Sequence, residues 1–260
     1  MKRLSLPVVA ALVLTACATS PLGRQQFLFL PAAEMDQMGA TAYNEMKEQQ
    51  PTVANTAESR YVECVADAIV AVVDSGEQWE VTVFKDDSAN AFALPGGKIG
   101  VHTGLLKVAN NQDQLAAVIG HEVGHVLAQH SNERMSIQYA TQTGTQLVAA
   151  LAGGDSAEKQ TLLGLLGVGA QYGVQLPFSR KHEAEADVIG LDLMAEAGFD
   201  PRQSVDLWQN MAAASGGSPP EFLSTHPSNQ TRIQGLQARI PKAMPLYQQA
   251  QSAGRTPNCG

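Results

Sequence analysis

A chain of 260 residues that is 44% hydrophobic carries enough apolar side chain to bury one sizeable core. Aromatics make up only 5%, which disfavours a β-sandwich and favours helices packed through small and aliphatic residues. The formal charge of −8, with no basic cluster, argues against a nucleic-acid partner, because phosphates would meet nothing to neutralise them.

Lys2 and Arg3 precede an apolar run from Leu4 to Leu14 that is too short to span a bilayer, the layout of an export signal. "LTAC" (Leu14 to Cys17) resembles the bacterial lipobox. That likeness implies a signal peptide over residues 1–16 and lipid attachment at Cys17; the alternative is an ordinary secretory signal cut near Ala16 or Ala18. Ala18 is not an aspartate, so the inner-membrane retention signal of such lipoproteins is absent. Residues 17–30 then read as a lipid-anchored linker and 31–260 as the folded domain. In an oxidising compartment the two remaining cysteines, Cys64 and Cys259, most simply form one disulfide; the alternative is two free thiols.

Helical spacing runs from Pro31 to Gln50, and again from Glu58 to Val73, where Tyr61, Val65, Ala68, Ile69 and Val72 make one apolar face. "WEVTVF" (Trp79 to Phe84) alternates like a strand, and "NAFALPGGKIGVH" reads as a hairpin whose proline suits a sheet edge. Asn111 with Gln114 forms a cap for a helix expected over Gln112 to about Met135. "AGGDS" is expected to turn between two apolar helices. A helix over Lys181 to Ala197 should stop at Gly198, another should start near Pro201, and the last should run from Ser228 to just before Pro241. The class is α+β, mainly helical with one small sheet.

The chemistry concentrates in "GHEVGH" (Gly120 to His125). On a helix, residues four apart share a face about 6 Å apart along the axis, so His121 and His125 can both reach one ion. Glu122 projects about 100° away, where it can take a proton from water beside that ion. A catalytic zinc needs a third protein ligand and one open position. His130, nine residues after His121, would face the opposite side of the same helix. "RKHEAEAD" offers a better one: Glu183 and Asp187 share a face, with Glu185 turned away. Glu183 can bind the metal while Asp187 accepts a hydrogen bond from the other nitrogen of a ligating histidine.

H-E-x-x-H followed by E-x-x-x-D resembles the HtpX-like and CAAX prenyl protease family of zinc metalloproteases, over about Ala89 to Leu236. The resemblance implies a zincin-type (gluzincin) domain and one Zn²⁺, held by His121, His125 and Glu183. It implies Glu122 as base, Asp187 as the group orienting a ligand, and His226 of "STHPS" at the transition state or the ion. It also implies an edge strand at Asn90, Ala91, Phe92 and Ala93 that pairs with substrate backbone. HtpX and the prenyl proteases span membranes several times, whereas no apolar run of eighteen residues is found here. The chain instead resembles the periplasmic outer-membrane lipoprotein branch, BepA-like, with too few residues after the last helix for that branch's repeat domain. The resulting expectation is a metalloendopeptidase, anchored through Cys17 and facing the periplasm, that degrades unfolded or misassembled envelope proteins near the outer-membrane assembly machinery. The rival is a zinc-stabilised, chaperone-like lipoprotein that holds clients without cutting them.

Overall fold

The structure, a computed structural model, describes residues 17–152, 179–214, 221–226 and 230–260. It is a mainly helical α+β fold. The signal peptide, the "AGGDS" turn, the apolar stretch 161–176 and the "SGGSPP" loop lie outside the described residues. A hairpin, β1 (Cys17–Thr19) with β2 (Gln25–Phe27), opens the chain within the segment read as a linker. Then come α1 (Ala32–Gln49), β3 (Thr52–Val53), α2 (Ala57–Val70), β4 (Glu80–Phe84), β5 (Ala91–Leu94) and β6 (Lys98–His102). The helices α3 (Gln112–Leu127), α4 (His130–Ala152), α5 (Arg180–Ala197), α6 (Gln203–Ala213), α7 (Glu221–Thr225) and α8 (Gln230–Ser252) complete it.

The four-stranded sheet has the order β3-β4-β6-β5, which leaves β5 at its end. β6 runs parallel to β4 and antiparallel to β5, in register from Ala91↔Val101 to Leu94↔Lys98. Pro95 sits in the turn, where its missing N–H costs no ladder bond.

Two compact units result. In one, Arg24, just before β2, donates to both oxygens of Glu133 of α4 at 2.8 and 2.7 Å in a partly buried ion pair. The other, Met35–Ala128 with Pro177–Gly260, holds the candidate metal ligands. Its core joins Val62, Val65 and Ile69 of α2 to Leu115, Ile119 and Val123 of α3, Met194 of α5 and Met211 of α6. Each such side chain contributes about 1.5–3 kcal/mol through burial.

Two helix boundaries differ from the pattern. Asn111 does cap α3 by accepting from Gln114 N–H at 2.9 Å, but the helix stops at Leu127 and not at Met135. Gln129 takes a left-handed φ of 50°, which ends one helix and starts α4 at His130. The helix expected over Gln112 to about Met135 is therefore two, and helical phase does not place His130. Conversely, α8 runs through Pro241 and Pro245 to Ser252. Both prolines are on the exposed face, where water can satisfy the carbonyls they free. Gly198, at φ 96°, caps α5 in the left-handed form. Cys64 and Cys259 are joined as a disulfide, and Gln112 holds the same tail through Cys259 N–H and the Pro257 carbonyl.

Candidate metal centre

α3 and α5 cross at two glycines. A Cβ on Gly120 would come within 2.8 Å of the Gly190 carbonyl oxygen, and one on Gly190 within 2.6 Å of His121 N. Only glycine lets two helix backbones come this close. The crossing brings Glu183, about two turns before Gly190, onto the face of α3 that carries both histidines.

Four side chains converge there. His121 Nε2 lies 3.1 Å from His125 Nε2 and 3.4 Å from Glu183 Oε2. His125 Nε2 is 3.5 Å from Glu183 Oε1. His226 Nδ1 lies 3.3 Å from His121 Nε2 and 3.2 Å from Glu183 Oε1. All four donor atoms fall within 4.8 Å of one another, and all four residues are buried. His226 reaches this point from the end of α7, where its N–H bonds the Phe222 carbonyl at 2.8 Å and its ring stacks on Phe222 at 4.5 Å.

Behind the ligand atoms stands a second layer. Asp187 Oδ1 is 3.0 Å from His121 Nδ1, which fixes that ring's tautomer and orientation. Arg232 of α8 donates to both oxygens of Asp187, at 2.6 and 2.8 Å, and stacks 4.0 Å over the ring of Trp208. Its Nη1 also stands 2.6 Å from Glu183 Oε2, though off the line of a hydrogen bond. Neither Arg232 nor Trp208 was found by reading the sequence. An arginine on an amphipathic helix carries no spacing signal, since most are solvated.

Glu122 faces the other side. Its Oε2 accepts the Ala93 N–H of β5 at 3.2 Å, and Oε1 sits 3.5 Å from His226 Nε2. Among the described residues Oε1 is buried and accepts no hydrogen bond. Asn90 and Ala91 to Ala93 thus lie at the sheet edge beside the cluster. Glu185, His102 and His130 are not part of it.

The electrostatics differ across the cluster. Burial pushes the Glu122 carboxyl up, and His226 and His121 only partly offset this. Burial acts on Glu183 the same way, but hydrogen bonds from His121, His125 and His226 carry it far below the usual carboxylate range. Burial lowers His121, yet Asp187 and Glu183 outweigh it and hold the imidazole at about 9. Burial keeps His125 well below its ordinary value.

A divalent cation fits this donor set. Three imidazoles and one carboxylate suit a borderline-soft ion such as Zn²⁺. With neutral histidines, the buried Glu122, Glu183 and Asp187 outnumber the buried Arg232 by two charges, which a divalent ion would balance.

Comparison with known proteins bears on the same residues. The model of peptidase family M48 matches residues 56–240. Mitochondrial metalloendopeptidase OMA1 of Schizosaccharomyces pombe is 41% identical over 186 residues, covering 70% of this chain and 53% of that protein. Human OMA1 is 32% identical over 238 residues, 86% of this chain and 44% of its own. The β-barrel assembly-enhancing protease of Escherichia coli K12 is 27% identical over 223 residues, 82% and 45%. The chain spans about half the length of these curated relatives. They bear neither of the narrower names, HtpX and CAAX prenyl protease, that the motifs suggested.

Proposed function

The chain belongs to peptidase family M48 and carries that family's metalloprotease domain, and we propose that it acts as a zinc-dependent metalloendopeptidase on the periplasmic face of the outer membrane. The observation that carries the reading is a buried four-donor cluster with a bare carboxylate oxygen, Glu122 Oε1, at its rim.

His121, His125 and Glu183 would hold the ion. Bound there, zinc supplies a Lewis acid that polarises a peptide carbonyl and acidifies water. Glu122 takes the proton of the attacking water through Oε1, while the Ala93 N–H keeps the carboxylate aimed. Asp187, itself clamped by Arg232, fixes the His121 tautomer. His226 would either donate to the developing oxyanion or serve as a further ligand that keeps the enzyme latent. The edge at Asn90 to Ala93 pairs with an extended backbone, which favours unfolded or misassembled envelope proteins as substrates. Attachment through Cys17 rests on "LTAC", and the neighbouring partner would be the outer-membrane assembly machinery. The likeness to a β-barrel assembly-enhancing protease supports that placement.

A zinc-stabilised holdase would have no use for Glu122 beside the ligands. Digestion of casein by the purified chain, abolished by a chelator and restored by zinc, is the expected result. Binding of casein without cleavage at full metal loading would favour the holdase.

A further inference from the structure

A pocket of about 210 Å³ opens between α5 and α8. Ala184 and Val188 form one wall, and Gly235 and Leu236 form the other. Glu183 and Arg232 also line it, and the Glu183 carboxylate is the one that meets the three histidines. The pocket therefore begins one side chain away from the reacting centre. We propose that it receives a large uncharged side chain of the substrate, on a residue flanking the bond that is cut. This rests on the peptidase reading above and names the substrate class for it.

Three observations support that occupant. The first is size: a protein cavity of about 150 Å³ already accepts benzene, so this one has room for the side chain of Leu, Met or Phe. The second is charge. Arg232 is engaged by Asp187 and Arg239 at the rim by Asp192, while Arg180, the third arginine of the lining, is exposed and keeps its own hydration, so a lysine or aspartate carried into the pocket would lose its hydration and find the inner partners already taken. The third is Gly235. It lies inside α8, where glycine is the least favourable residue after proline. A Cβ there would meet nothing within 4 Å. No helix contact requires a glycine at that point. Its small size leaves the pocket open.

The test uses the full chain loaded with zinc and a set of peptides that differ only at one residue beside the cleaved bond. The wild type should prefer Leu, Met and Phe to Ala and Gly. Gly235→Leu fills the pocket from α8, and Val188→Phe fills it from α5. Each should reduce the ratio of kcat/KM for Phe over Ala peptides by about tenfold or more, with zinc content unchanged. The same ratio, read as peptide affinity in a Glu122→Gln background, should move in parallel. An unchanged ratio in both variants overturns the pocket, even if overall rates fall. So does a wild type that neither cleaves nor binds by side-chain size. If the wild type cuts no peptide while Glu122→Gln chains bind them with this preference and lose it on filling, the pocket stands and the peptidase reading fails.

Discussion

The two sides of the histidine cluster are built on opposite plans. On the α5–α8 side, Glu183 sits among three imidazoles with the Arg232 guanidinium 2.6 Å from its Oε2, and Asp187 takes two hydrogen bonds from the same arginine. Those partners outweigh burial and hold both carboxyls below their ordinary values. On the β5 side, Glu122 has one backbone N–H and one buried oxygen without a hydrogen bond, and burial raises it. A carboxylate kept charged and immobilised is suited to hold a cation. One that burial leaves desolvated, without a guanidinium against it, is suited to accept a proton. Residue type is the same on both sides; the surroundings assign the work.

Substitutions can break this contrast. Glu183→Ala and His125→Ala should both lose the metal, and with it all proteolysis, since each leaves too few donors. Glu185→Ala should keep the metal, because that side chain is outside the cluster. Metal analysis of the three variants checks the order, and a need for Glu185 in place of Glu183 would reverse the assignment.

Glu122→Gln should retain zinc and fall in turnover by about 10²–10⁴-fold, because the amide keeps the shape but accepts no proton. A metal-loaded variant that still cuts peptides would erase the difference between the two sides.

His226 belongs to both, within reach of Glu183 through Nδ1 and of Glu122 through Nε2. His226→Ala should bind zinc and slow turnover about a hundredfold if the oxyanion role dominates. If the ring occupies the fourth position instead, the same change should raise activity or cause self-cleavage. Single-turnover rates on zinc-loaded protein separate the two.

The smallest effect sharpens the ligand side alone. Gly190→Ala places a Cβ 2.6 Å from His121 N, so α3 and α5 must part. Stability should fall by about 1–3 kcal/mol, read as a lower Tm, with weaker zinc binding. Gly235→Ala, with open space at its Cβ, should not lower Tm.

Much of this was legible locally. The spacing of four put His121 with His125, and Glu183 with Asp187, on common helix faces before any packing was known. Asn111 and Gly198 marked a start and a stop, because capping depends only on residues within a turn. The fourth donor was reached only by resemblance, since nothing in "STHPS" says where its histidine sits. Arg232, Trp208 and the Gly120–Gly190 crossing left no pattern, because each acts on residues far away in the chain. The break at Gln129 and the passage of α8 through Pro241 went against local signals. The sequence by itself determined which groups share a helix face, because the 3.6-residue repeat is set by neighbouring backbone bonds. The tertiary structure alone decided which faces meet, and so which glutamate is held charged and which is left bare, because burial and charge pairing come from residues brought together by the core.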